Sequence, residues 1–216
     1  MDSTRIGLIP LLICVGAVVC LEAAVQGIKA DPLMVTAGIR LVDICLVMGI
    51  VYIFHGRLDG IGLSRRRAPL GVWQGILWSA GFGAVVIVMA AVLYVAGISP
   101  FSLIQVQVPK DASRLLFFMI TGGVIGPVAE EMVFRGLIYS FLRRWGVLAA
   151  LIGSTTLFVL AHPLSSGIPM PQIVGGLVFA LSYEISKSLL SPLIIHILGN
   201  LSLFLVGFAS QLMIVG

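Results

Sequence analysis

The sequence predicts an all-α fold: a polytopic transmembrane helical bundle of about seven spans. Three observations carry that reading. Hydrophobic residues make up 59% of the 216 and charged residues only 10%, with a mean hydropathy of +1.15, whereas soluble domains carry about 25% charged residues. Apolar runs of about 20 residues, the length that crosses a hydrocarbon core, recur from one end of the chain to the other. No polar stretch is long enough for a soluble domain, so residues 1–216 read as a single integral membrane domain.

The first span is expected near residues 6–26. It reads as an uncleaved span rather than a signal peptide, because only Arg5 precedes it as a basic residue and Glu22 interrupts the apolar run before the small residues of LEAAV. The second, near 33–54, holds Arg40 and Asp43 three apart, a plausible buried structural pair. The remaining spans are expected near 72–98, 115–142, 147–162, 171–187 and 191–214. The third and last runs are long, and a short extra helix in either would make eight. Pro127, Pro163, Pro171 and Pro192 are expected at kinks or helix starts. Cys14, Cys20 and Cys45 fall in apolar segments without CxxC or Cys/His spacing and read as small apolar packers.

Loop charges orient the bundle. Arg57, Arg65, Arg66, Arg67, Arg143, Arg144 and Lys187 share one side with Arg5, and only Lys29, Lys110 and Arg114 lie opposite. The positive-inside rule then puts the N-terminus in the cytoplasm and, with seven spans, the C-terminus outside a cell (inner) membrane. The net charge of +4 is accounted for by topology and by anionic lipid headgroups rather than by nucleic acid. His55, beside the Arg-rich loop, is expected in solvent.

The informative residues are the polar ones inside apolar segments, where an ionised group costs roughly 2.5 to 3.5 kcal/mol even on lenient insertion scales. Glu130, Glu131 and Arg135 lie in the fourth span, His162 ends the fifth, Glu184 is near the end of the sixth, and His196 and Asn200 are in the seventh. Glu131 and Arg135 are four apart on one helical face in the favourable order, acid first. Glu130 is turned about 100° away and is free to face another neighbour. A carboxylate partly withdrawn from water is suited to general-base work, while its neighbour can be held by the guanidinium; the alternative is a Glu-Arg pair that only locks helices. His162 follows Phe158 by one turn, and a helical histidine of this kind is often a satisfied core residue. His196 and Asn200, four apart, can point at a common spot and could hold the oxygen of a polarised carbonyl, or simply bond between helices. Glu184, three before Lys187, reads as a headgroup-level ion pair. Gly122 and Gly126 have small-xxx-small spacing that would let another helix approach.

In order along the chain, EEMVFR matches EExxxR, FVLAH matches FxxxH and HILGN matches HxxxN. These motifs resemble those of the CAAX protease and bacteriocin-processing family, also called the Abi family. The resemblance covers the C-terminal half, roughly residues 115–205, which separates motif-bearing spans in 115–216 from spans without motifs in 1–114. It implies an intramembrane glutamic endopeptidase without a cofactor. By similarity Glu130 would activate a water that His162 helps to bind, His196 and Asn200 would stabilise the oxyanion, and Glu131 and Arg135 would orient and tune Glu130. A metal bridging Glu130, His162 and His196 is the alternative, although HExxH and other conventional zinc spacings are missing from the sequence. The implied substrate is a membrane-associated protein or peptide entering from the bilayer or a loop side: a C-terminal anchor signal, a precursor peptide or a prenylated tail. A non-catalytic immunity or scaffold protein of the same fold is the competing reading. A proton-coupled transporter would favour inverted repeats, which the sequence does not display.

Overall fold

The computed structural model describes residues 6–100, 106–162 and 169–215, with side chains described as far as residue 211. Every apolar run expected to span forms a helix. The seven are α1 (Leu8–Val25), α2 (Pro32–His55), α3 (Ala68–Val95), α4 (Ala112–Trp145), α5 (Val147–Leu160), α6 (Met170–Ser186) and α7 (Leu190–Val215). Five of them, α1 to α4 and α7, are long and apolar enough to cross a membrane by length and composition. The other two are shorter, at 14 residues for α5 and 17 for α6. The helical bundle and its multi-pass character therefore stand. Among the described residues α5 and α6 are the two expected spans that fall short of that length.

Local sequence explains the boundaries. Asp31 caps α2, its Oδ1 accepting from the Leu33 N–H at 2.8 Å, with Pro32 as the first helical residue. Asp111 caps α4 in the same way through the Arg114 N–H, also at 2.8 Å. Gly56 ends α2 in the left-handed conformation, φ 68°. Pro171 lies in the first turn of α6, as expected for a helix start. Pro163 falls outside the described residues.

α4 is central. It packs on α2, α5 and α7, while α7 also runs along α3 and α6, and α5 along α6. α3 touches α7 closely because Gly71 and Gly75 are its only buried residues; a Cβ on Gly75 would lie 2.9 Å from Ile194 Cβ and 3.0 Å from the Ser191 carbonyl. The 3-10 turn Asp59–Ile61 folds back under α4, where Ile61 is fully buried against Gly136. The Leu189 N–H donates to the Gly62 carbonyl at 3.0 Å and ties this turn to the start of α7.

Several sequence expectations are modified. Arg40 does meet Asp43, at 3.4 Å, but its shorter contact is to Glu22 of α1, at 2.7 Å. Cys14 is a buried packer, whereas Cys20 and Cys45 lie on the outside of the bundle. His55 is only half exposed, and its Nδ1 is buried. The glycines that admit α7 are Gly122 and Gly123, not Gly122 and Gly126: a Cβ on Gly123 would fall 2.5 Å from Leu201 Cδ2, while Gly126 faces only its own helix.

Candidate active site

The site is built on an irregular stretch of α4. Residues Thr121–Ile125 and Met132–Tyr139 are wound as π-helix around the α-helical turn Gly126–Glu131. Such widened turns are rare and recur at functional sites. Pro127 supplies a local cause. The Gly126 N–H donates to the carbonyl of Thr121, five residues back, and the corresponding donor for Gly122 would be residue 127, a proline without an N–H. The Gly122 carbonyl is instead met by Asn200 of α7, whose Nδ2 donates to it at 2.9 Å.

Beneath this turn lies a fully buried ion pair. Arg135 Nη1 donates to Glu131 Oε1 at 2.9 Å, and both side chains are 0% exposed. The second arm of the guanidinium, Nη2, donates to the Gly176 carbonyl of α6 at 3.1 Å. Its carbon lies 4.6 Å from the ring centre of Phe158 and 5.1 Å from that of Phe179, so two aromatic faces share its charge. Glu131 Oε1 accepts a second hydrogen bond, from His196 Nδ1 at 2.8 Å. The His196 ring is stacked on Phe179, with centroids 4.5 Å apart. One carboxylate thus joins α4, α6 and α7 through one cation and one imidazole.

Glu130 faces the other way. Its Oε2 lies 3.8 Å from His162 Nε2 and 3.8 Å from His196 Nε2. The tautomers follow from what the opposite ring nitrogens touch. His162 Nδ1 is 2.8 Å from the Phe158 carbonyl, one of the free acceptors in the last turn of α5, and a carbonyl only accepts, so Nδ1 carries the hydrogen. His196 Nδ1 meets a carboxylate and carries one as well. In the neutral rings both Nε2 atoms are therefore lone pairs turned toward Glu130. Three acceptors at these separations, too long for direct hydrogen bonds, suit a guest that brings two hydrogens of its own. Water is the simplest such guest. Glu130 and His162 are partly exposed, at 19% and 26%.

Of the six residues singled out from the sequence, Glu130, Glu131, Arg135, His162 and His196 form one connected cluster, and Asn200 adjoins it through Gly122. Phe179 and Gly176 were missed, since a stacking ring and an accepting carbonyl leave no mark in an apolar run. Glu184 does pair with Lys187, but it is also the acceptor for Tyr139 Oη at 2.7 Å and for Arg143 Nε and Nη2 at 3.0 Å each. It clamps the ends of α4 and α6 together rather than lying free among headgroups. Among the described residues no three His, Cys, Asp or Glu are grouped so as to hold a metal ion.

Comparison with known proteins finds similarity over the same part of the helical bundle that holds the paired glutamates, the arginine and the two histidines. Residues 112–202 match a family model described as type II CAAX prenyl endopeptidase Rce1-like. The membrane-embedded CAAX protease MroQ of Staphylococcus aureus (strain USA300) is 33% identical over 96 residues, covering 41% of this chain and 38% of that protein. The matched part thus spans about two fifths of that relative's length. No solved structure matches the chain. Both matches fall on the part of the chain that carries the motifs, which is thus similar to known CAAX proteases.

Proposed function

We propose that the protein is an intramembrane endopeptidase that hydrolyses a peptide bond with a water activated by Glu130. The observation that carries this reading is the convergence of Glu130 Oε2 with the Nε2 atoms of His162 and His196 beside a buried Glu131–Arg135 pair. The family matches support a protease role for the bundle.

In this scheme the water donates one hydrogen to Glu130 and the other to His162 Nε2, which turns its remaining lone pair outward. Its oxygen attacks the scissile carbonyl carbon, Glu130 takes the proton, and the carbonyl π pair moves onto oxygen. For this step His196 has taken up a proton from bulk water on Nε2, so that it is a donor and Glu130 and His162 are the acceptors that hold the attacking water. It donates from Nε2 to that oxyanion, with Glu131 as its counter-charge, and the second N–H of Asn200 is the other donor. Collapse of the intermediate breaks the C–N bond, and the amine leaves with the proton held by Glu130. Arg135 holds Glu131 and, through it, the His196 ring. The substrate is a membrane-associated protein or peptide, met within the lipid boundary.

The test is cleavage itself. Cells carrying the wild-type chain, Glu130→Ala or His162→Ala are compared by proteomics of the membrane fraction, and both variants are expected to leave one protein or peptide uncut while remaining inserted. Full processing by Glu130→Ala would refute the glutamate base. Activity that survives exhaustive chelation would separately reject the metal-bridged alternative.

A further inference from the structure

We infer that Phe179, on a helix that carries none of the three motifs, is a positioning residue of the catalytic cluster. Its ring face fixes the plane of the His196 imidazole and so the direction in which Nε2 points. The inference rests on the protease reading for its effect on cleavage but not for its geometry.

One hydrogen bond holds an imidazole at a single edge. His196 Nδ1 is 2.8 Å from Glu131 Oε1, and a ring pinned only there can still tilt, carrying Nε2 away from Glu130 Oε2, 3.8 Å off. The plane is set by what lies against the face. Phe179 covers it with centroids 4.5 Å apart and the two planes inclined by only 20°. Phe158 of α5 meets the same imidazole edge on, at 6.0 Å and 76°. A stacked face resists tilting, and a ring meeting it edge on resists rotation within the plane, so the two phenylalanines leave the imidazole one orientation. Both ring nitrogens point outward in the plane, and the stacked contact takes no hydrogen bond from either.

Phe179 is in turn held by the helix that carries it. One turn before it the Gly176 carbonyl accepts from Arg135 Nη2 at 3.1 Å, and one turn after it the buried Ser182 Oγ donates to the Phe179 carbonyl at 2.9 Å. A Cβ on Gly176 would lie 2.8 Å from Thr155 Cγ2 of α5. Any larger residue would therefore push α6 off α5, and the Gly176 carbonyl and the Phe179 ring would leave the cluster together. The ring is buried, and it also lies 5.1 Å from the carbon of the Arg135 guanidinium. A leucine in its place would fill much of the same volume but presents no plane. That difference separates packing from positioning.

Phe179→Leu and Phe179→Tyr test this in the full chain, in cells for processing and in detergent for the ring. Processing is followed by pulse-chase on the protein that stays uncut with Glu130→Ala. Phe179→Leu is expected to slow it roughly tenfold to a hundredfold while the variant remains folded, and Phe179→Tyr, which keeps the ring face, to retain most of the rate. The chain has three histidines, so isotope-labelled histidine gives three imidazole signals by NMR, with that of His196 assigned from its loss in His196→Gln. The carbon-bound ring protons of His196 are expected upfield in the wild type and in Phe179→Tyr, shielded by the stacked ring, and to move downfield in Phe179→Leu while those of His55 stay in place. Full processing by Phe179→Leu, a loss that Phe179→Tyr shares, or unmoved His196 protons in Phe179→Leu would overturn the inference. Should Phe179→Leu fail to fold, Gly176→Ala takes its place: it should move the same signal and slow processing, and adding Thr155→Ser, which removes the clashing Cγ2, should restore both. A loss that Thr155→Ser leaves unrestored would overturn the inference as well. If Glu130→Ala leaves no protein uncut, the protease reading fails and the His196 signal alone decides; cleavage that depends on Glu130 with an unmoved His196 signal removes only the positioning role.

Discussion

Glu131 Oε1 accepts from both Arg135 Nη1, at 2.9 Å, and His196 Nδ1, at 2.8 Å, so a single oxygen atom holds the cation and orients the imidazole. Glu131→Gln leaves the guanidinium buried without its counter-charge, a loss of about 3 to 5 kcal/mol for a broken buried pair. A clear drop in thermal midpoint in detergent is expected. Glu130→Gln, at a partly exposed position, should hold its midpoint while losing turnover. Equal midpoints for the two variants would contradict this division.

Asn200 and Pro127 should be coupled. Asn200→Ala orphans the part-buried Gly122 carbonyl, because residue 127 has no N–H to offer it, and the loss is expected at the low end of the roughly 1 to 3 kcal/mol that an unpaired buried acceptor costs. In a Pro127→Ala background an N–H is available to that carbonyl, and the cost of Asn200→Ala should shrink. A double-mutant cycle on unfolding free energy reads the coupling directly; additivity would reject it.

Two left-handed glycines should differ in tolerance. A Cβ on Gly56 (φ 68°) would meet nothing within 4 Å, whereas at Gly62 (φ 81°) it would lie 2.6 Å from Tyr183 Cε2 and 2.9 Å from the Leu189 nitrogen. Gly56→Ala bears only the backbone cost of about 1 to 2 kcal/mol. Gly62→Ala adds a clash with backbone and should be the more destabilised in thermal unfolding.

At the clamp, Tyr139→Phe removes one hydrogen bond, about 0.5 to 1.5 kcal/mol, and leaves Glu184 with Arg143 and Lys187. Glu184→Ala strands the buried Tyr139 hydroxyl as well and should lower the midpoint further. Limited proteolysis at the α6–α7 connection provides a second readout.

Much of the site is legible in the sequence. The i,i+4 spacing alone joins Glu131 to Arg135, and motif order joins Glu130 to His162 and His196. What escaped was contact between helices. Tyr139 and Glu184 are 45 residues apart, and nothing in either run signals that they meet. The donor capacity of Asn200 was legible, but its acceptor was not, because an apolar run has the same composition whether wound at 3.6 residues per turn or wider. Pro127 was the available clue, since it announces a missing donor without saying which carbonyl loses it. Length was legible only in part: all seven expected runs are helical, but α5 and α6, at 14 and 17 residues, are shorter than the other five.

The π-wound turns of α4 also protect the angular phase of the helix. A widened turn takes in one more residue than a regular one for nearly the same rotation, so the stretches before and after it stay in register. Wound instead as regular α-helix, the same residues between Thr121 and Ile125 would turn everything before them by about 100° relative to Glu130 and Glu131, and the Gly122–Asn200 and Gly123–Leu201 contacts would swing off α7. The irregular helix is in this sense a gear, cut so that one face keeps its grip on α7 while the next presents its acids.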